Sequence, residues 1–102
     1  MPRGLRKEVD PIPHRFSIYL KKRALKGLSD LGHELQEKVL EILEILGKNP
    51  IPRSFDLKKL RGYEDTFRMR IGRIMIVYSI DWENERILVH FIGPRERAYR
   101  GI

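Results

Sequence analysis

The 102-residue sequence contains no cysteine. A disulfide framework, a thiol nucleophile and cysteine-ligated metal sites are therefore excluded. Histidine is scarce, and a zinc site would need three distant segments to converge on His14, His33 and His90. The longest uninterrupted apolar run is Ile74–Tyr78, whereas a membrane-spanning helix needs about 20 such residues. A transmembrane helix is therefore excluded as well.

The length fits one domain with one core. Residues 1–13 contain three prolines and no periodicity, so we expect a flexible basic tail followed by a folded domain over 14–102. The basic residues of this tail are not followed by the apolar core of a signal peptide. We therefore expect a cytoplasmic protein.

Acidic residues are few relative to basic ones, with 14 Asp and Glu against 21 Lys and Arg and a net charge of +7. Such an excess in a small domain favours a polyanionic partner, with nucleic acid first and an acidic protein second. Dense surface charge is also typical of thermophile proteins. That alternative explains the amount of charge but not its sign.

Helical spacing predicts two adjacent helices. Ala24, Leu25, Leu28 and Leu31 recur at intervals of three and four, which predicts a helix over about 20–31 that ends at Gly32. Residues 33–46 form the stronger pattern, with glutamates opposite one apolar face and a stop at Gly47. That apolar face consists of Leu35, Val39, Ile42, Leu43 and Leu46. Two such helices joined at a glycine predict an antiparallel hairpin.

Alternation of apolar and polar residues predicts strands on both sides of this hairpin. A short first strand is expected over 14–19, and three more over 66–71, 74–80 and 87–92. Residues 48–65 are predicted to be a loop. The order β-αα-βββ predicts a two-layer α+β fold, in which the N-terminal strand and the antiparallel meander carry the hairpin on one face.

The other, open face of the predicted sheet is basic. Alternation places Arg68 and Arg70 together, about 6.6 Å apart and away from the apolar side chains of their strand. The same alternation on the next strand predicts that Arg73 and Met75 also lie on this face. The C-terminal segment then contributes Arg95, Arg97 and Arg100. On the residues alone, an equally good alternative is that these charges only keep the strands soluble.

Several segments together resemble the RelE/ParE toxin superfamily, most closely its archaeal RelE branch. They are Phe67–Gly72, Ile76–Asp81 and Ile92–Tyr99, preceded by Gly47–Pro50 and Leu57–Gly62. The resemblance implies a toxin of a type II toxin–antitoxin pair. It implies a ribosome-dependent endoribonuclease that cleaves the A-site codon of mRNA by attack of a 2′-hydroxyl, without metal or other cofactor.

The resemblance also implies roles for individual residues. Arg68 and Arg70 match the paired basic residues of the family and fit phosphate clamping, because arginine stays protonated. Arg95 matches the arginine assigned to transition-state stabilisation. Tyr99 matches the aromatic residue that stacks on a base or transfers a proton, although a structural anchor for the tail fits it equally well. The RNA-binding candidates are Lys58, Lys59, Arg61, Arg97 and Arg100.

One position departs from the family pattern. Met75 stands three residues before Tyr78, where RelE proteins usually carry an arginine. Losing one such clamp commonly slows a reaction by about 100- to 1000-fold, so we expect an attenuated nuclease. We hypothesise that Arg73, two residues earlier, supplies the missing phosphate contact from a shifted position.

Two alternatives remain open at this point. One is a ParE-like gyrase poison without enzymatic activity, and the other is a module that binds RNA or the ribosome without cleavage. The resemblance implies a RelB-like antitoxin, which we expect to be acidic and to fold on binding. The other implied partners are mRNA in the A site and the small ribosomal subunit, with no membrane and no small-molecule cofactor.

Overall fold

The computed structural model describes residues 15–97. The predictions for the tail over 1–13, and for Tyr99 and Arg100, lie outside these residues. No helix in the described range is long and apolar enough to cross a membrane. The elements in chain order are β1 (Ser17–Leu20), α1 (Lys22–Ser29), α2 (His33–Lys48), β2 (Asp56–Lys59), β3 (Thr66–Ile71), β4 (Ile74–Asp81), β5 (Arg86–Pro94) and a 3₁₀ turn (Arg95–Arg97).

The strands form one sheet in the order β1-β5-β4-β3-β2. β1 pairs with β5 in parallel, and all other pairs are antiparallel. A parallel partner requires a crossover connection, which α1 and α2 supply between β1 and the rest of the sheet. The predicted two-layer α+β fold, with its N-terminal strand, helical hairpin and meander, is confirmed.

Strand β2 lies within the segment that was predicted to be a loop. It pairs antiparallel with β3, from Asp56 opposite Arg70 to Lys59 opposite Phe67. Its sequence, DLKK, has one apolar residue and therefore gives no alternating signal. Short edge strands that carry lysines are a common protection against edge-to-edge association.

One face of the sheet packs on α2. The core contains Val39, Ile42, Leu43 and Leu46 from the helix. The sheet contributes Phe67, Met69, Ile74, Ile76, Tyr78, Ile80, Ile87, Val89 and Ile92. The prediction that Leu35 lies on the buried face was wrong, because Leu35 is in the first turn of α2 and is exposed. Helix α2 also continues through Gly47, whose carbonyl oxygen accepts a hydrogen bond from the Phe16 amide at 2.7 Å.

A β-bulge changes which side chains of β5 face the core. Val77 pairs with Phe91 and Tyr78 with Val89, so His90 is an extra residue in β5. Strict alternation would place Phe91 on the core-facing side of β5, with Ile87 and Val89. Because of the bulge, Phe91 lies on the open face and Ile92 enters the core. A bulge adds one residue to one strand and reverses the parity beyond it.

Helix α1 lies directly against the backbone of β5. A Cβ atom built on Gly27 would be 1.7 Å from the carbonyl oxygen of Ile92. A separation below 3 Å cannot be accommodated without moving one of the two elements. The absence of a side chain at Gly27 therefore sets how closely the helix approaches the strand.

Candidate nucleic-acid interface

The open face of the sheet carries two cross-strand rows of side chains. The first row runs from Lys58 through Arg68 and Val77 to Phe91. The second row runs from Asp56 through Arg70 and Met75 to Gly93. Parity therefore places Arg68 and Arg70 on the open face, as the sequence predicts.

Arg68 occupies the centre of the first row. Its side chain is half-buried, and its Nη1 atom is enclosed without a hydrogen-bond partner among the described residues. An enclosed donor without an acceptor costs about 1–3 kcal/mol, and more when it is charged. Lys58, directly opposite on β2, adds a like charge. A phosphate oxygen that contacts this half-buried guanidinium can satisfy the Nη1 donor once the side chain shifts to expose it.

Arg70 differs from Arg68 because it already has an acidic partner. Its Nε atom donates to Oδ2 of Asp56 at 3.0 Å, and both side chains are well exposed. An exposed ion pair of this kind contributes at most about 1 kcal/mol. A phosphate group can therefore compete with Asp56 for the guanidinium of Arg70.

Arg73 and Arg95 meet at one end of the sheet rather than in the rows. The amide of Arg95 donates to the carbonyl oxygen of Arg73 at 3.0 Å, and both residues are exposed. They line a cavity of about 590 Å³ that also includes Leu35 of α2. The expectation that Arg73 lies beside Met75 on the open face is therefore wrong, because Arg73 belongs to the turn between β3 and β4 and not to the pleated strand.

Met75 is part of an apolar floor on the open face. Its side chain is 1% exposed and belongs to a cluster with Val77 and Phe91, against which Leu60 packs. This buried cluster forms an apolar surface beneath the basic side chains of the open face. The position at which the family pattern has an arginine is therefore used here for packing.

Restoring the family residue is expected to destabilise the fold. Met75→Arg would place a charge in the apolar cluster and should lower the free energy of unfolding by about 2 kcal/mol. Met75→Leu conserves volume and should cost less than about 1.5 kcal/mol. Urea denaturation of both variants checks this. Equal stability of the arginine variant and the parent would show that the site accepts a charge.

The remaining predicted RNA-binding residues divide between the two sides of the sheet. Lys58 is on the open face, whereas Lys59 pairs with Phe67 and lines a cavity on the helix side with Ile51 and Phe55. The grouping of Lys59 with Lys58 is therefore not supported, because adjacent strand residues point to opposite faces. Arg61 and Arg97 are exposed, in the loop after β2 and in the final 3₁₀ turn.

Two features of this face were not identified from the sequence. Arg23 of α1 lies over the ring of Phe91, with its Cζ atom 4.6 Å from the ring centroid, and donates to the carbonyl oxygen of Arg97 at 2.8 Å. Ser79 and His90 form a hydrogen bond of 2.8 Å between Oγ and Nε2. Residues 1–26 carry eight Lys and Arg against two acidic residues, which does not single out Arg23, and the bulge that positions His90 has no sequence signature here.

The fold agrees with comparisons to known proteins. A family model described as the ParE toxin of type II toxin–antitoxin systems matches residues 18–99. A protein of Methanocaldococcus jannaschii that bears the toxin name RelE1 is 38% identical over 87 residues, which are 84% of this chain and 97% of that protein.

Solved structures give the same result. A chain of the archaeal RelE–RelB complex from Pyrococcus horikoshii matches with a TM-score of 0.72 and 31% identity, over 82% of this chain and 99% of that chain. The intact RelBE toxin–antitoxin complex of E. coli matches with a TM-score of 0.68 and 25% identity, over 80% and 99% of the two chains.

The chain therefore belongs to the ParE toxin family of type II toxin–antitoxin systems, within the RelE/ParE superfamily. Its similarity to the archaeal RelE proteins places it more closely as a toxin of the RelE type. The resemblance found in the sequence is confirmed.

Proposed function

We propose that this toxin is a metal-independent endoribonuclease that cleaves mRNA in the ribosomal A site. The observation that carries the proposal is the enclosed Nη1 atom of Arg68, without a partner among the described residues, on a basic sheet face. Lys58 lies opposite Arg68 on β2 and Arg70 two residues further along β3. This arrangement suits a phosphodiester backbone that runs along β3, with Lys58 beside it.

The reaction forms a bond between the 2′-oxygen and phosphorus and breaks the bond from phosphorus to the 5′-oxygen. The 2′-hydroxyl loses a proton and the leaving 5′-oxygen gains one. The products are a 2′,3′-cyclic phosphate and a 5′-hydroxyl. Negative charge develops on the phosphoryl oxygens in the transition state, and fixed guanidinium donors stabilise it. Arg68 and Arg70 supply such donors, with Arg68 held by its surroundings and Arg70 exchanging Asp56 for phosphate.

The other basic residues divide into two groups. Arg95 and Arg73 lie at the end of the rows, where Arg95 stabilises the transition state and Arg73 contacts the flanking phosphate. Tyr99, outside the described residues, is the group that the resemblance assigns to base stacking or proton transfer. Lys58, Arg61, Arg97 and Arg100 bind the RNA backbone, to which Lys and Arg contribute affinity without sequence preference.

The buried Met75 bears on the rate of the proposed reaction. It packs with Val77 and Phe91 and has no group that binds phosphate. Arg73 is in the turn and does not replace an arginine at that position. We therefore expect a slower enzyme than a relative that carries all of the family's arginines, by up to about 100- to 1000-fold.

We propose a RelB-type antitoxin as the protein partner. Similar structures from P. horikoshii and M. jannaschii are RelE–RelB complexes. The charge of +7 suits an acidic partner. An apolar cavity of about 490 Å³ between β1 and α2 includes Ile18, Leu20, Leu40 and Leu43. Such a surface suits an apolar segment of a chain that orders on binding.

Cleavage of programmed ribosomes tests the enzymatic proposal. The full chain is added to ribosomes with a defined A-site codon, and the mRNA ends are mapped. We expect one cut within that codon, dependent on the ribosome, insensitive to EDTA and with a 5′-hydroxyl end. Arg95→Ala should slow it by about 100-fold, while Arg53→Ala, in an exposed loop on the helix side of the sheet, should not.

Each other outcome contradicts the proposal in a different way. Inhibited translation without cleavage would indicate a module that only binds RNA or the ribosome. Inhibition of gyrase supercoiling, with translation unaffected, would indicate a ParE-like poison. Equal loss in the Arg53 and Arg95 variants would mean that Arg95 has no specific part in the reaction.

A further inference from the structure

A cavity opens on the same face as Arg68, one step further along the strands. It has a volume of about 420 Å³, within the usual range of ligand pockets. Its lining residues are Arg23, Tyr63, Glu64, Thr66, Val77, Ser79 and His90. Thr66 precedes Arg68 by two residues on β3, and Ser79 follows Val77, the cross-strand partner of Arg68, by two residues on β4. Same-face neighbours lie about 6.8 Å apart.

The cavity combines groups that recognise a planar, hydrogen-bonding molecule. Tyr63 is 46% exposed, and its ring offers a stacking surface. Ser79 and His90, joined by their 2.8 Å hydrogen bond, present donors and acceptors. Glu64 adds a carboxylate. Arg23 closes one side, where it is held in place by Phe91 and by the Arg97 carbonyl.

Burial and a nearby positive charge favour the neutral form of the His90 ring. Burial lowers the pKa of His90, and the positive charge of Lys21 lowers it further. Arg23 of α1 and Glu64 of the loop before β3 are the other charged groups that line the cavity with it. A neutral ring both accepts and donates a hydrogen bond, which suits the edge of a base better than a phosphate.

We propose that this cavity binds one base of the RNA whose phosphate is held by Arg68, and that Glu64 makes it select bases with an amino group. This inference rests on the proposed function. A carboxylate accepts hydrogen bonds from the amino groups of cytosine, adenine or guanine. Uracil has no amino group, and its two carbonyl oxygens flank its only N–H, so that the carboxylate repels it.

The test compares codons that differ at one base. Ribosomes are programmed with A-site codons in which each position in turn is uracil or cytosine, and cleavage rates are measured for the full-length toxin. We expect one position at which cytosine is cleaved at least about fivefold faster than uracil. Glu64→Gln should reduce that ratio to near one, because the amide also donates to carbonyl oxygens. Ser79→Ala should weaken the preference at the same position.

His33 provides a matched control, because it is exposed on α2 and pairs with Glu37. His33→Ala should leave the codon preference unchanged, while His90→Ala should change it. Urea denaturation establishes that each variant is folded. If the parent toxin cleaves but the Glu64, Ser79 and His90 variants keep its codon preference, the base-binding inference is overturned and the proposed function stands. If the parent toxin cleaves no codon, the proposed function itself fails.

Discussion

Replacing Arg68 with glutamine is expected to slow cleavage of A-site mRNA by about 100- to 1000-fold. Glutamine keeps hydrogen-bonding capacity but loses the charge that stabilises the transition state. The free energy of unfolding should stay unchanged or rise slightly, because the variant removes an enclosed nitrogen without a partner among the described residues. Single-turnover cleavage and urea denaturation measure the two quantities independently.

Two further variants test whether the effect is specific to the guanidinium of Arg68. Arg68→Lys keeps the charge but loses the planar fork, so it should restore only part of the rate. Lys59→Ala removes a basic residue from the adjacent edge strand, on the helix side of the sheet, and should have little effect. Parent-like cleavage by Arg68→Gln would remove Arg68 from the reaction. A large loss in Lys59→Ala would mean that general charge, and not the open face, determines activity.

Replacing Gly27 with alanine should produce a large loss of stability. The added Cβ would fall 1.7 Å from the carbonyl oxygen of Ile92. No change of rotamer relieves contact between a Cβ and a backbone oxygen, so α1 and β5 must separate. We expect a loss of about 3 kcal/mol or more in the free energy of unfolding, measured by thermal and urea denaturation.

Gly32→Ala is the matched control for this substitution. Gly32 precedes α2, and nothing lies within 4 Å of the position of its added Cβ. Alanine there should cost less than about 1 kcal/mol. Equal stability of the two variants would show that α1 does not depend on close contact with β5.

The spacing of apolar residues was sufficient to predict the helices and strands that bury a regular apolar face. Helix α2 and strands β3, β4 and β5 each repeat apolar residues at the period of their structure, so the fold class followed from the sequence. Strand β2 could not be found, since its four residues contain one apolar side chain and it exists only through its pairing with β3. The local sequence also placed the stop of α2 at Gly47, although the helix continues to Lys48.

The candidate site was predictable only where one strand determines it. Alternation within β3 placed Arg68 and Arg70 on the open face. Alternation along β5 would misplace Phe91, because the bulge opposite Val77 and Tyr78 reverses the parity at the end of that strand. Arg23 and the Ser79–His90 pair depend on packing between elements distant in sequence, which local patterns do not encode.

The pairing of β1 with β5 also has a consequence for how the toxin comes into being. Among the described residues β1 has only this partner in the sheet, and Ser17 lies opposite Arg86. During synthesis, β1 therefore lacks its partner strand, and α1 lacks the strand it packs on, until β5 has been made. At about 5–20 residues per second this delay lasts several seconds. Phe91, on the open face, belongs to the same strand, and Arg95 follows it in the 3₁₀ turn. The basic surface of the open face therefore forms only after β5 has been synthesised.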